Sequence, residues 1–503
     1  MQGQEGGRPV ALSRFDIPGA QELMVHSCED CACPVTESEV SYRPFAADTE
    51  TDSSHWIRAR EIVEIPVDGE HKALFNPLGR GGVVVVNREA GQIYDCFALP
   101  VTFKDVRAAW PGTGDDADHI SRQLTQLELI HPTDLEPELE FGAGAGGGRT
   151  LTAWLHVTNA CNLRCPYCYV DKSAEKMDEP VGQAAVEAVV RSAVAHGFTT
   201  VKLKYAGGEA SLNYHQMLRL HAHARELTAA HGLQLRATML SNGVRLSRTL
   251  VDTLRDQGIM VMISLDGIGS LHDAQRPSVA GKPSFHLVER TIEQLIEQRH
   301  APHLSITITN RNMSGVADVV RFALDRDLTF SLNLFRDNDC AASFPDLRYA
   351  EQGMISALLD AFGVVEEFLP RWSVLGAVLD RGQLVQPRQH ACGVGLDYVV
   401  IDQRGKVAKC HMEIEKTLGD VFADDPLLLV QRDRDTVLNL AVEEKEGCRD
   451  CTWRYWCSGG CSVATFRATG RYDIKSPNCH IYKAIYPAAL RLEALRLLKY
   501  APS

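Results

Sequence analysis

Cys161, Cys165 and Cys168 stand on one short loop directly after an apolar, strand-like run at 151–158. The C-x3-C-x2-C spacing gathers three thiols where an ordinary loop would carry none, and this constrains the fold more than any other feature. A structural zinc site or a closed cubane takes four protein ligands, so three thiolates leave one metal position open to something that is not protein. A zinc knuckle is the alternative, with His156 in the preceding strand as the nearest fourth ligand.

The surrounding sequence predicts the setting such a loop needs. Apolar, β-branched runs at 151–158, 199–205, 234–240, 259–265, 304–309 and 329–334 alternate with helical patterns at 183–196, 214–231, 247–257, 285–300 and 316–327. Near-continuously apolar strands separated by amphipathic helices predict a parallel sheet with helices outside and sites at the C-terminal strand ends. The cysteine loop follows the first strand. Gly207, Gly208 and Glu209 follow the second, Ser241 and Asn242 the third, Ser264 and Asp266 the fourth, with Arg276 further on. Paired glycines let backbone approach a ligand that a Cβ would exclude. The hydroxyl, amide and carboxylate groups suit a ribose and a carboxylate, and each also serves in turns.

A second cysteine group lies toward the C-terminus. Cys392, Cys410, Cys448, Cys451, Cys457, Cys461 and Cys479, with Gly405, spell C…G-x4-C…C-x2-C-x5-C-x3-C…C. With so few aliphatic residues around them, this segment needs metal to fold. Two zinc sites have similar spacings and remain the alternative.

These motifs resemble the radical S-adenosylmethionine (SAM) enzymes. The first loop, with Tyr167 before its third cysteine, is similar to their cluster-binding signature. Gly207-Gly208-Glu209 resembles their GGE motif, and the C-terminal group resembles the SPASM domain. Over roughly 150–490 the resemblance implies an α/β fold: a partial (β/α)6 radical SAM barrel with a C-terminal iron–sulfur SPASM domain. It implies SAM and three [4Fe-4S] clusters, one SAM-binding and two auxiliary. Cys161, Cys165 and Cys168 would hold the first cluster. Gly207, Gly208 and Glu209 would meet the methionine end of SAM, Ser264 and Asp266 would lie near its ribose, and Arg276 would meet its carboxylate or the substrate. Tyr167, Ser241 and Asn242 complete the expected cofactor site. Cys448, Cys451, Cys457 and Cys479 would close one auxiliary cluster. Cys392, Cys410 and Cys461 would hold the other, one ligand short. Cys33, Cys96, Cys340, His390, His411, water or a substrate thiolate are the candidates for the gap.

The implied activity is reductive cleavage of SAM to a 5'-deoxyadenosyl radical, which abstracts a hydrogen atom from a ribosomal precursor peptide. A cross-link (thioether, C–C or C–X) or an oxidation follows. The partners implied are that peptide and a reductant such as flavodoxin or ferredoxin. Sulfatase-maturing relatives place an aspartate directly after the second auxiliary cysteine. Here that residue is His411, which puts formylglycine formation in doubt and leaves Asp402 or His411 as the candidate base. Small-molecule cofactor assembly and a non-catalytic iron–sulfur electron carrier are the other readings.

Upstream, strand patterns at 73–75 and 83–87 and helical patterns at 103–110 and 118–127 resemble the winged-helix-like element that binds leader peptides, with 83–87 near the docking edge. A cap that merely covers the barrel explains the pattern equally. The expected divisions are a poorly ordered segment at 1–58 containing Cys28, Cys31 and Cys33, the winged-helix-like domain at 59–141, and a Gly-rich linker at 142–149. The barrel at 150–345, a helical connector at 346–390 and the SPASM domain at 391–490 follow.

Composition fits an intracellular enzyme. The 503 residues are 45% hydrophobic and can bury more than one core. No apolar run is long enough to cross a bilayer and the start lacks a signal-peptide pattern, so a cytoplasmic location is expected. Fifteen cysteines there point to metal or redox chemistry. A net charge of -13 argues against nucleic acid.

Overall fold

The computed structural model describes residues 10–13, 40–42, 54–110, 114–135, 139–141, 150–376 and 379–501. Cys28, Cys31 and Cys33 and the linker at 142–149 lie outside them. Six parallel strands, Thr150–Thr158, Thr200–Gly207, Gln234–Ser241, Ile259–Ser264, His303–Ile308 and Phe330–Leu334, stand side by side in chain order. Helices Glu179–Ala195, Tyr214–Ala230, Arg248–Asp256, Phe285–Glu297 and Val316–Leu324 return the chain between them. Local chemistry starts these helices. Asp178 accepts from the Val181 N–H with Pro180 in the first turn, and Ser247 accepts from the Leu250 N–H at 3.2 Å.

The strands alternate more strictly than their composition suggested. Leu155, Val157, Leu203, Tyr205, Met239, Ile263, Ile306 and Leu332 enter one apolar core with the helices. The residues between them, among them Trp154, Ser264, Ser305, Thr307 and Asn333, line a cavity on the other face. That face is polar because it bounds a site, not a second apolar core.

The sheet does not end at Thr150–Thr158. Tyr398–Ile401 pairs parallel with it, Thr152 opposite Tyr398 and Leu155 opposite Ile401. Lys406–Ala408 and Thr417–Asp420 continue antiparallel, giving nine strands. The expected boundary between 345 and 391 is therefore crossed by one continuous sheet. Helices Glu351–Phe368 and Cys479–Tyr500 pack into the same core through Met354, Leu358, Ile485 and Leu490.

The N-terminal region holds a sheet in the order Ala11–Ser13, Val83–Asn87, His71–Phe75, Val63–Pro66. Helices Arg88–Cys96, Phe103–Ala109 and Gly114–Gln126 cover one face, where Leu74, Val84, Val86, Ile93, Phe103 and Leu124 are buried together. The first helix was not anticipated, although Asn87 caps it by accepting from the Ala90 N–H at 3.0 Å. Val83–Asn87 is not an open edge, because Ala11–Ser13 pairs with it. The other face meets the cysteine-rich segment. Phe75 lies 4.8 Å from Trp456, whose indole N–H donates to the Pro77 carbonyl at 2.9 Å.

Trp456 is fully buried at this junction. Trp456→Ala should cost about 3–5 kcal/mol in chemical unfolding. Trp456→Phe, which keeps most of the packing and loses the hydrogen bond, should cost about 1–2 kcal/mol.

Candidate active site

The cysteine loop and the loops after the next strands close around a cavity of about 210 Å³. Cys161, Cys165 and Cys168 all line it, with Gly207, Gly208 and Glu209 beside them. The paired glycines serve first to let the second strand close on the cysteine loop. A Cβ at Gly207 would fall 2.3 Å from the Thr158 carbonyl oxygen, and one at Gly208 would fall 2.5 Å from that of Ala160. Two hydrogen bonds hold the contact, from the Gly208 N–H to the Thr158 carbonyl at 2.7 Å and from the Glu209 N–H to the Ala160 carbonyl at 2.9 Å.

Glu209 is fixed by its neighbours. Its carboxylate accepts from the Ser241 hydroxyl at 2.9 Å and from the Asn242 N–H at 2.6 Å. The Asn242 amide reaches Asn162 at 2.6 Å and Cys161 Sγ at 3.8 Å, so the third strand's loop braces both the acid and the thiols. Asp266 does not line the cavity. It is buried, accepts from the Tyr167 hydroxyl at 2.5 Å and from the Thr307 N–H at 2.9 Å, and is ion-paired with Arg276 at 3.3 Å. Arg276 also donates to the Tyr167 hydroxyl. Asp266 thus anchors Tyr167 and Arg276, while Ser264, Tyr167 and Arg276 reach the cavity.

The cysteine-rich segment also contributes to the cavity. His411 and Met412 are among its lining residues. The His411 ring stacks on Trp154 at 4.6 Å and 15°, and its Nδ1 meets the Tyr398 hydroxyl at 3.0 Å. Burial, with Arg381, Arg336 and Lys204 nearby, holds its pKa well below the usual value. Asp402 is elsewhere in function. Its side chain accepts from the Arg404 and Lys406 N–H groups at 2.8 and 2.7 Å, closing the hairpin between Tyr398–Ile401 and Lys406–Ala408. It does not line the cavity, and an acid committed to a turn there is in no position to serve as base.

The other cysteines form two groups. Cys448, Cys451, Cys457 and Cys479 line one pocket. Cys392, Cys410 and Cys461 are buried together in an apolar cluster that also holds Trp154. Neither Cys96 nor Cys340 joins them. Cys96 packs in the N-terminal domain, and Cys340 is exposed beside Tyr169, with Cys168 among the charges it feels. His390 feels Lys445, Glu443 and Glu444 instead.

The thiols are shaped by burial. Burial pushes Cys165, Cys410 and Cys457 up to about 12 and Cys448 to about 11. As thiolates they need positive charge, which a cluster supplies. Cys461 is the exception, because Arg336 and Arg381 overcome its desolvation and hold it below the ordinary thiol value. Lys172 Nζ lies 2.7 Å from Cys168 Sγ. Lys445 is buried between the two C-terminal groups, feeling Cys448, Cys392, Cys457 and Cys461, and donates to the Ser458 carbonyl at 2.9 Å. Lys172, Trp154, Arg336 and Lys445 were not foreseen. Only Lys172, four residues beyond Cys168, carried a positional signal.

A parallel sheet whose first loop presents three thiols beside a glycine-braced acid is the framework of this site. Residues 155–323 match the family model of the Radical SAM superfamily. The chain is 30% identical over 171 residues to the sporulation killing factor maturation protein SkfB of Bacillus subtilis, a match covering 34% of this chain and 38% of SkfB. It is 22% identical over 336 residues to the cysteine-type anaerobic sulfatase-maturating enzyme of Clostridium perfringens, covering 60% of this chain and 86% of that enzyme. The solved structure of native anSMEcpe with bound AdoMet and Cp18Cys peptide superposes with a TM-score of 0.55 at 20% identity, over 70% of this chain and 99% of that one, and shows the same fold.

Gly208→Ala should force the cysteine loop away from the second strand at a cost of about 1–3 kcal/mol. Reconstituted protein should bind less iron and take up SAM about tenfold more weakly by calorimetry, with an unchanged far-ultraviolet dichroism spectrum.

Proposed function

We propose that this protein is a radical SAM maturase that modifies a residue of a ribosomal precursor peptide. The observation that carries the reading is the shared cavity, which the three loop thiols and Glu209 line together with His411, the residue after Cys410. Cys161, Cys165 and Cys168 would hold a [4Fe-4S] cluster, and Glu209, with Gly207 and Gly208, would meet the methionine end of SAM. When bound, the cluster and SAM supply hydrogen-atom abstraction from an unactivated C–H bond, chemistry that no side chain performs.

The chain's own residues orient and shield. Asp266 holds Tyr167 and Arg276 at the rim, placing a guanidinium where a carboxylate of SAM or of the peptide would be received. Trp154, Tyr169 and His411 make an aromatic wall that excludes water from the reacting carbon. Behind it, Cys392, Cys410 and Cys461 would hold one auxiliary cluster and Cys448, Cys451, Cys457 and Cys479 the other, as in a SPASM domain. Lys445 between them would stabilise added negative charge. The 59–141 region would be the winged-helix-like peptide-recognition domain, 346–390 the connector and 391–490 the SPASM domain. An external one-electron donor of the flavodoxin or ferredoxin kind would supply the electron.

Peptide maturation is favoured because relatives include the maturation protein SkfB and a PqqA peptide cyclase, 21% identical over 346 residues. Formylglycine formation is the second reading, on the match to the sulfatase-maturating enzyme. Among the described residues no helix is long and apolar enough to cross a membrane.

Anaerobic protein with dithionite should release 5'-deoxyadenosine and methionine from SAM. Replacing Cys161, Cys165 and Cys168 by alanine should abolish that release, and a wild-type rate in this variant would end the proposal. Mass spectrometry then separates the two readings: a co-expressed precursor peptide should lose hydrogen, whereas formylglycine formation requires turnover of a sulfatase-derived cysteine peptide.

Replacing Cys392, Cys410 and Cys461 should lower bound iron by about one cluster's worth, four atoms, while SAM cleavage persists. Lys445→Met should shift auxiliary midpoint potentials negative by on the order of tens of millivolts in an electron paramagnetic resonance titration, since a buried cation favours the reduced cluster.

A further inference from the structure

The outer flank of Val83–Asn87, where a recognition element of this kind would accept a peptide strand, is filled by the chain itself. Ala11–Ser13 runs antiparallel along it, Ala11 opposite Val86, Leu12 opposite Val85 and Ser13 opposite Val84. The Asn87 N–H donates to the Val10 carbonyl at 3.2 Å, and the Val10 N–H donates to the Asn87 side-chain oxygen at 3.0 Å. Ala11 and Ser13, two residues apart and so on one side of the strand, are 5% and 3% exposed. Ala11 joins the apolar cluster of Val84, Val86 and Ile93. The flank therefore offers main-chain hydrogen bonds and two buried positions that hold small side chains.

The occupant is weakly held. A strand of three residues buries little apolar surface and is not stable unless tethered. Its occupancy rests on effective concentration, because the tether makes the contact intramolecular. A second strand in solution competes for the same hydrogen bonds at a disadvantage set by that tether.

We propose that the Val83–Asn87 flank is an exchangeable strand-acceptor site, filled in cis by Val10–Ser13 and open in trans to an extended peptide with small residues at alternate positions. The cis strand thereby acts as a competitor that sets the threshold for peptide entry. That the trans peptide is the precursor rests on the proposed function; the exchange itself does not.

The test uses the full chain and a fluorescein-labelled synthetic peptide of residues 8–16, followed by anisotropy. Because Val10 and Asn87 form a hydrogen-bonded pair, Leu12 and Val85 form the next, and Leu12→Pro removes a donor from the cis strand without touching the acceptor flank. The Leu12→Pro chain should bind the peptide about tenfold or more tightly than the wild type. A peptide carrying Ala11→Leu and Ser13→Leu should bind neither chain. Hydrogen exchange provides the second readout. The Asn87 amide should be protected in the wild type, lose protection in Leu12→Pro and regain it with peptide, while the barrel strands are unchanged. Equal binding by the two chains, absence of binding by Leu12→Pro, or an unprotected Asn87 amide in the wild type overturns the proposal. These readouts need no SAM cleavage, so they stand or fall separately from the activity.

Discussion

The parallel pairing of Tyr398–Ile401 with Thr150–Thr158 sets the geometry of the whole site. The strand that launches the cysteine loop is, on its other side, hydrogen-bonded to the strand that leads to Cys410. The Thr152 N–H donates to the Asp397 carbonyl at 2.9 Å, and the register runs from there to Leu155 and Ile401. Because the hairpin turns back within four residues at Asp402, His411 arrives at the cavity and stacks on Trp154. A slip of two residues in this register would carry His411 about 7 Å along the sheet, and a slip of one would turn Trp154 out of the cavity.

Around this frame the protein distributes charge against its average. The chain carries a net charge of -13, yet cations stand among the cysteines alongside acids such as Glu209 and Asp380. Lys172 touches Cys168, Arg336 and Arg381 act on Cys461, and Lys445 lies between the two C-terminal sets. Buried thiolates without opposing charge are costly, and so are buried ammonium and guanidinium groups. Each offsets the other's desolvation, which couples the packing of the interior to the chemistry it can hold.

Much of this was legible in the order of residues. The six βα units were readable because strands and helices each impose their own hydrophobic period, and the cysteines because ligand spacing is local. Other readings depended on what lay across a gap. Gly207 and Gly208 read as an approach for a ligand, but the backbone that requires them is that of Thr158 and Ala160, a strand away. Asp402 read as a candidate base, and its side chain caps a turn instead, because nothing in a chain distinguishes a carboxylate aimed into a cavity from one accepting from the N–H groups two and four residues on. Asp266 read as a cofactor contact, and its bonds to Tyr167 and Arg276, 99 and 10 positions away, could not be read from spacing.

The sequence by itself determined the class of fold, the cysteine trio and the glycine-acid turn, whereas the division of the later cysteines into four and three was implied by the family resemblance. The first three follow from short-range spacing and from periods that a chain displays before it folds. Only the tertiary structure decided that the cysteine-rich segment extends the barrel sheet, that Ala11–Ser13 fills the flank of Val83–Asn87, and that buried cations stand among the thiols. The first two join residues scores to hundreds of positions apart, as does the interaction of Arg336 with Cys461. Such contacts are selected by the burial of shared surface and the completion of main-chain hydrogen bonds, which no local pattern encodes.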